Sequence, residues 1–213
     1  MRNYPTLATM IILAALTYGC ANPAANKPKA TVANAAPESN PAKPAGAERL
    51  VISPENSKVE FVAAKVTRSH QGSFKQFAGT IDLVPNNVGN SRVTIDIDTA
   101  SVVTDEEQLT GHLKTPDFFD VAKYPKATFV STKIEPGGSG ATQTVTGNFD
   151  LHGVRKSISF PATIQVAPDS VSVNAEFSIN RKDFGLLYPG KADDLIRDGV
   201  VIKLTLQVPR AKP

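Results

Sequence analysis

The stretch Val154–Val166 constrains the fold of this chain more than any other. Ile158, Phe160, Ala162, Ile164 and Val166 alternate with Ser157, Ser159, Pro161, Thr163 and Gln165. A period of two places the first set on one face of a β-strand and the second on the other. Thirteen residues in this conformation extend about 43 Å, well beyond the usual strand length. The pattern recurs at Val93–Ile97, at Val171–Ile179 and at Val200–Val208. Strands with one apolar and one polar face belong to antiparallel sheets wetted on one side. Eight such segments are expected, over 58–66, 76–84, 92–99, 127–135, 142–150, 154–166, 171–180 and 200–208, with turns at Asn86-Asn87 and Gly137-Gly138. Long strands with a single apolar face suit an eight-stranded antiparallel barrel, which also removes exposed edges. A two-sheet sandwich satisfies the same alternation. Gly79 gives the second strand a place to bend.

One region breaks the period. Thr104-Asp105-Glu106-Glu107 has the form of a capping box, with acids in the first turn, and Leu109 and Leu113 stand four apart. A short helix is predicted over 105–114. The segment TPDFFDVAKYP, residues 115–125, then reads as a loop folding back at one end of the sheet, with at least one of Phe118 and Phe119 packed into the barrel end.

The ends of the chain have a different character. A single positive residue, Arg2, precedes an apolar run from Leu7 to Leu16, too short to span a bilayer and suited to a signal-peptide core. It leads into Leu16-Thr17-Tyr18-Gly19-Cys20, which resembles a bacterial lipobox, although Tyr18 is larger than the residue usual there. The expectation is a signal peptide over 1–19, acylation of Cys20, and an exported, periplasmic protein held at a membrane by that anchor. Residues 21–46 are rich in Ala and Pro and lack apolar periodicity, which predicts a flexible tether of about 25–30 Å. The barrel is expected over 47–213.

Charge narrows the function. The chain holds 23 basic and 20 acidic residues; with Arg2, Lys27, Lys29, Lys43 and Glu38 set aside, residues 47–213 carry 19 of each. That gives no basic footprint for nucleic acid. Cys20 is the only cysteine, so no internal disulfide forms. His70, His112 and His152 show no metal-ligand spacing and are expected to pin turns through local hydrogen bonds. Asp117, Asp120 and Asp183 are read as caps of backbone N–H groups, and Arg181 as the partner of Asp183. No nucleophile elbow, zinc-protease motif or phosphate loop is present, and no acid/base constellation can be assembled, so a non-enzymatic role is expected.

Four blocks carry a family resemblance. They are Gly72–Leu83 (GSFKQFAGTIDL), Asp105–Val121 followed by Tyr124-Pro125 and Ala127-Thr128-Phe129, Val145–Val154 (VTGNFDLHGV) and Ile179–Leu186 (INRKDFGL). Together they resemble the YceI-like family over most of 50–208. Asn56 stands where the family often has His, and residues 187–199 (LYPGKADDLIRDG) fall outside the resembling blocks. The resemblance implies a lipocalin-like barrel whose apolar cavity accepts a polyisoprenoid or the tail of an isoprenoid quinone, with no other cofactor. The inward residues Phe61, Phe77, Ile81, Ile95, Phe129, Phe149, Phe160, Phe177 and Ile202 are the expected lining, with Phe118, Phe119 and Phe184 at the mouth. Two other readings stay open: a solid barrel acting as an envelope protein–protein module, and a small-substrate hydrolase or isomerase with a carboxylate or His deep inside. Partnership with a second copy of the chain is also left open.

Overall fold

The computed structural model describes residues 22–37, 43–138 and 140–210. In chain order its strands are β1 (Thr31–Asn34), β2 (Glu48–Ile52), β3 (Ser57–Ala64), β4 (Ser69–Phe74), β5 (Phe77–Leu83), β6 (Arg92–Asp98) and β7 (Val102–Thr104). Helix α1 (Glu107–Leu113) follows. Then come β8 (Lys126–Pro136), β9 (Gln143–Leu151), β10 (Val154–Val166), β11 (Ser170–Asn180), the short hairpin β12 (Gly190–Lys191) and β13 (Asp194–Leu195), and β14 (Gly199–Pro209). All eight strands expected from the alternation are present; β1, β2, β4, β7 and the β12–β13 hairpin are additional.

Apart from that hairpin and β1, the strands form one antiparallel sheet in the order β2-β5-β6-β8-β9-β10-β11-β14-β3-β4-β7. Its inner face is mostly apolar, with Ser57, His70 and Ser131 the buried polar residues on it, and it buries that face by curling on itself as a half-barrel. The outer strands β2 and β7 do not pair with each other. Instead β2 runs through residues 53–56 into β3 and packs against β14, so the covalent chain ties one edge of the sheet back to its middle. One end of the curl is filled: Ile52, Leu83, Val171 and Val208 are almost wholly buried. The other end carries α1, the 115–125 loop and the β12–β13 hairpin.

The wall has one seam. The β10–β11 ladder runs only from Thr163↔Asn174 to Val166↔Val171 and stops short of Pro161, which has no N–H to give. Into the opening comes the N-terminal segment. Strand β1 pairs with Lys156–Ser159 of β10, while Ala30 N donates to Ser178 O and Ser178 N to Pro28 O, each at 2.8 Å. Ala30 is buried in the core and Val32 packs on it. Lys27 Nζ meets Glu176 Oε2 at 2.9 Å, and Ala36 N and O both bond the Asn148 amide. Residues 22–37 are therefore not the free tether that their composition predicts. The segment has no core of its own, but it satisfies backbone groups that the splayed strands leave open. Residues 1–21, with the expected signal peptide and Cys20, lie outside the described residues.

Helix α1 is shorter than expected, and the capping box does not form. Its first flanking residue, Glu106, makes no side-chain cap. The Thr104 hydroxyl bonds Glu106 O and the Thr110 hydroxyl instead. At the same end, β9 and β10 are joined by His152 (φ 55°) and Gly153 (φ 71°), the two left-handed residues of a type I′ turn. A Cβ on Gly153 would lie 2.5 Å from the Tyr124 ring. Gly153→Ala is therefore expected to lower unfolding free energy by about 1–3 kcal/mol, from left-handed strain plus the clash. Chemical denaturation should read this, and an unchanged midpoint would refute the account of the turn.

Candidate functional site

The 115–125 segment is a tightly wound cap whose shape follows from its hydrogen bonds. Phe119 N donates to Leu113 O, Phe118 N and Asp120 N both reach Thr115 O, and Asp120 O accepts from Lys123 N and Tyr124 N. Asp120 takes φ 45° to make this fold-back. Both phenylalanines thereby face inward. Phe118 packs edge-on against His112, 4.9 Å between ring centres, and lies 5.3 Å from Tyr188; Phe119 lies 5.7 Å from Phe74.

Beneath the cap the barrel is hollow in two places. The upper cavity, about 100 Å³, is bounded by Phe61, Phe74, Phe118, Phe119, Phe149 and Ile202 among others. The lower, about 80 Å³, is bounded by Phe61, Ile95, Phe129, Phe160, Phe177 and Leu204 among others. Phe61, Phe74, Ile97, Phe149, Ile179 and Ile202 border both, so a single layer of apolar side chains divides one elongated space. Above it lies an open cleft of about 420 Å³. Phe61, Ala63, Leu113, Phe118 and Ile196 form its floor and also the roof of the upper cavity. Its rim is polar, with Lys65, His70, Glu106, His112, Tyr188 and Asp194.

Of the residues expected to line the space, Phe61, Ile95, Phe118, Phe119, Phe129, Phe149, Phe160, Phe177 and Ile202 border one or both cavities. Phe77, Ile81 and Phe184 do not: they are buried in solid core, Ile81 between Leu50 and Val93, and Phe184 edge-on to Phe149 at 5.2 Å. Sequence reasoning missed Phe74, Ile97, Ile179 and Ile196. Ile97 and Ile179 continue the inward faces of Ile95 and Phe177, so the signal was present. Phe74 sits in β4, whose sequence SHQGSF has no alternation.

Two glycines shape the inner wall. Gly72 faces Phe61 across β3–β4, and a Cβ there would lie 2.2–2.8 Å from three ring carbons; one on Gly147 would meet the Phe129 ring at 2.4 Å. Each aromatic ring lies flat over a neighbouring strand because the glycine has no side chain to stop it.

The polar groups hold the mouth together. Arg181 is buried, and its guanidinium donates to Leu186 O, Ile196 O and Arg197 O, with Asp198 3.6 Å away. Burial pushes its pKa below the usual arginine value, against the pull of Asp198. Its partners are thus the 186–198 segment and not Asp183. Asn180, not Asp183, caps the turn that follows, accepting from Lys182 N. Asp117 meets His112 Nε2 at 2.8 Å rather than capping backbone. His70 Nδ1 stands 2.9 Å from Asp105. Burial raises the Asp105 pKa, but the bonds from His70 and Gln71 N outweigh it and hold the carboxyl below its usual range. His152 stacks edge-on with Tyr124 at 4.6 Å. Among the described residues, no group of three His, Cys, Asp or Glu could hold a metal ion.

This architecture has known counterparts. The YceI-like domain matches residues 50–208, three quarters of the chain. The chain belongs to the YceI-like family. A UPF0312 protein of Pseudomonas putida is 35% identical over 125 residues, covering 56% of this chain and 65% of that protein. The chain thus spans just under two thirds of the length of such relatives. Among solved structures, Burkholderia cenocepacia BcnA superposes with a TM-score of 0.65 at 25% identity, over 74% of this chain and 98% of its own. A polyisoprenoid binding domain from Saccharophagus degradans, at 20% identity, gives 0.62 over 78% and 99% and shares the fold. The YceI protein of Campylobacter jejuni gives 0.55 at 26% identity, over 66% and 85%.

Within this YceI-like barrel, Gly72→Ala tests whether the Phe61 ring defines the wall. The new methyl must drive the ring into the cavity, and a loss of about 1–3 kcal/mol is expected. Gly111→Ala, in α1 with nothing within 4 Å of the new Cβ, should instead gain about 0.5–1 kcal/mol. Thermal unfolding of both variants reads the two signs; equal effects would refute the assignment.

Proposed function

We propose that this protein holds the end of a long apolar chain, of the polyprenyl or isoprenoid-quinone type, inside its barrel and releases it unchanged in the cell envelope. One observation carries the reading: an elongated space walled by aromatic and aliphatic side chains, with Arg181 and Glu60 the charged residues at its borders, lies directly beneath an open cleft with a polar rim. A polar ligand inside would be stripped of water without partners, at roughly 1–3 kcal/mol for each lost hydrogen bond. A prenyl tail needs only apolar area, and about 300 Å² of it contributes roughly 7 kcal/mol before ordering costs. Family membership supports the reading, and so does the shared fold of the polyisoprenoid binding domain from Saccharophagus degradans.

The tail enters between Phe118, Leu113 and Ile196 and joins the two cavities by turning aside the layer at Phe61, Phe149 and Ile202. The head group stays in the cleft, within reach of Lys65, His70, His112 and Tyr188. Cys20, acylated, anchors the protein at a periplasmic membrane.

Ala63 borders both the cleft and the upper cavity, so Ala63→Phe should close the passage. A fluorescent prenyl probe is expected to bind the variant at least about tenfold more weakly, with an overpacking cost of about 1–3 kcal/mol in stability. Mass spectrometry of solvent extracts from protein made in its native host should reveal a prenyl lipid in the parent and a reduced amount in the variant. Repeated extraction of nothing, with probe affinity unchanged by Ala63→Phe, would overturn the proposal.

A further inference from the structure

We infer that the barrel sits mouth-down on the bilayer that holds its anchor, with Val66, Leu187 and Leu195 inserted among the lipid tails. The inference rests on the reading of Cys20 as acylated. Three observations place the anchor, the opening and an apolar surface at the same end of the molecule.

The first is where the described chain begins. Asn22 shares a surface hollow with Arg181, Lys182, Pro189, Leu195 and Gly199, beside the β12–β13 hairpin that walls the cleft. From there the segment runs along the seam, fixed by the Ala30–Ser178 and Lys27–Glu176 contacts. Only Ala21 separates Asn22 from Cys20. The chain therefore enters the described structure at the mouth end of the barrel, two residue steps after Cys20, a reach of at most about 7 Å. A free tether from 21 to 46 would have let the barrel tumble some 25–30 Å from the surface; a strap bound from residue 22 onward removes that freedom.

The second is what lies exposed there. Leu187, Val66 and Leu195 are 64%, 49% and 48% exposed, three of the four large apolar side chains so exposed among the described residues. Val66 and Leu195 are tied together, since Val66 N donates to Leu195 O at 3.1 Å and Thr67 Oγ1 to Asp194 at 2.9 Å, and Leu187 stands between Leu186 of the upper cavity and Tyr188 of the cleft.

The third is the charge around them. Lys65 pairs with Asp194 at 3.0 Å, Arg68 with Glu106 at 3.5 Å and Lys182 with Asp198 at 3.0 Å. On the hairpin, exposed Lys191 and Asp193 add one charge of each sign, and a rim with no net excess of positive charge suits insertion of side chains into lipid, not attraction to anionic head groups. Three half-exposed side chains would hold a free protein weakly. Once the anchor makes the contact intramolecular, weak attraction is enough. The cleft then opens onto the source of its ligand, and a tail crosses from lipid to barrel without passing through water.

The test uses the full-chain lipoprotein purified from membranes, with acylation of Cys20 verified by mass, in phosphatidylethanolamine–phosphatidylglycerol vesicles containing brominated acyl chains. A thiol-reactive fluorophore is placed at Val66→Cys or, at the opposite end, at exposed Asn86→Cys. Most of the emission at residue 66 should be quenched and almost none at residue 86, equally at low and at molar salt. Equal quenching at both positions, none at either, quenching abolished by salt, or an unmodified Cys20 would overturn the inference. A second readout separates docking from ligand binding. The double variant Leu187→Asp, Leu195→Asp should take up a prenyl probe from vesicles about tenfold more slowly while its equilibrium affinity for the probe in solution is unchanged. Unaltered uptake would refute docking and leave the ligand reading standing. Selective quenching in a protein that binds no prenyl probe would refute the ligand reading and leave docking standing.

Discussion

An antiparallel sheet with one apolar face is unstable in water until that face is covered, and this chain covers it chiefly by curling the sheet on itself, with the 107–125 cap and Ala30 completing the cover. The curl follows from that constraint. So does the composition of the interior, because the surfaces brought together are the inward faces of strands selected for one property. Aromatic rings from β3, β8, β9, β10 and β11 then meet near the axis, with Phe160 stacked on Phe177 at 4.1 Å. Rings of that size cannot fill a cylinder evenly. Where Gly72 and Gly147 let them lie flat on a neighbouring strand they leave space, and where smaller aliphatic residues gather, at Ile52, Val171 and Val208, they leave none. The cavities and the solid floor are two consequences of one packing problem.

Curling has a cost that the sequence resolves at its N-terminus. A strand as long as β10 cannot stay paired with the same neighbour along its whole length as the sheet twists, and Pro161 marks where its ladder with β11 ends. Beyond that point two strands carry unsatisfied backbone groups over a buried interior. Residues 28–34 fill the gap with main-chain bonds and with side chains small enough, Ala30 and Val32, to fit over the core. The same contacts that close the wall also fix the path of residues 22–37 along it, so closure of the sheet and the ordering of this segment have one physical cause.

Alternation made most of this legible. It located every long strand to within about two residues, because buried and wet faces impose the period directly. It failed where the period is absent for a structural reason. Strand β4, with His70, Gly72 and Phe74 on the sheet and only the last of them large and apolar, reads as loop, although Gly72 is glycine because Phe61 occupies the place of its side chain. Segment 22–37 reads as disordered because it borrows its core from elsewhere. For the site, period two identifies the inward face but not the height along the axis. Period two therefore groups Phe77 and Ile81 with Ile95 although they pack in solid core, and it does not single out Ile97 and Ile179 as lining although they border both cavities. Arg181 misled for a related reason: a carboxylate two residues away is a natural partner by sequence, but burial rewards a guanidinium that satisfies several carbonyls at once.

The dimensions of the space bear on how such a protein could hold its ligand. Its walls extend along β14 from Val200 through Ile202 to Leu204, four residue steps or about 13 Å. The floor below admits no continuation without displacing side chains that are almost wholly buried. A polyprenyl chain of many units is longer than this, so the barrel can enclose only its terminal portion. The remainder must stay outside the mouth. In water that exposed length would count against binding at the same rate per unit area that favours the enclosed part. A blind, short pocket is thus a poor carrier for a free chain in bulk solvent but an adequate grip on the end of one whose other part remains in lipid. The shallowness of the cavity and the apolar side chains near its opening fit the arrangement proposed above, in which bilayer and barrel would share one chain.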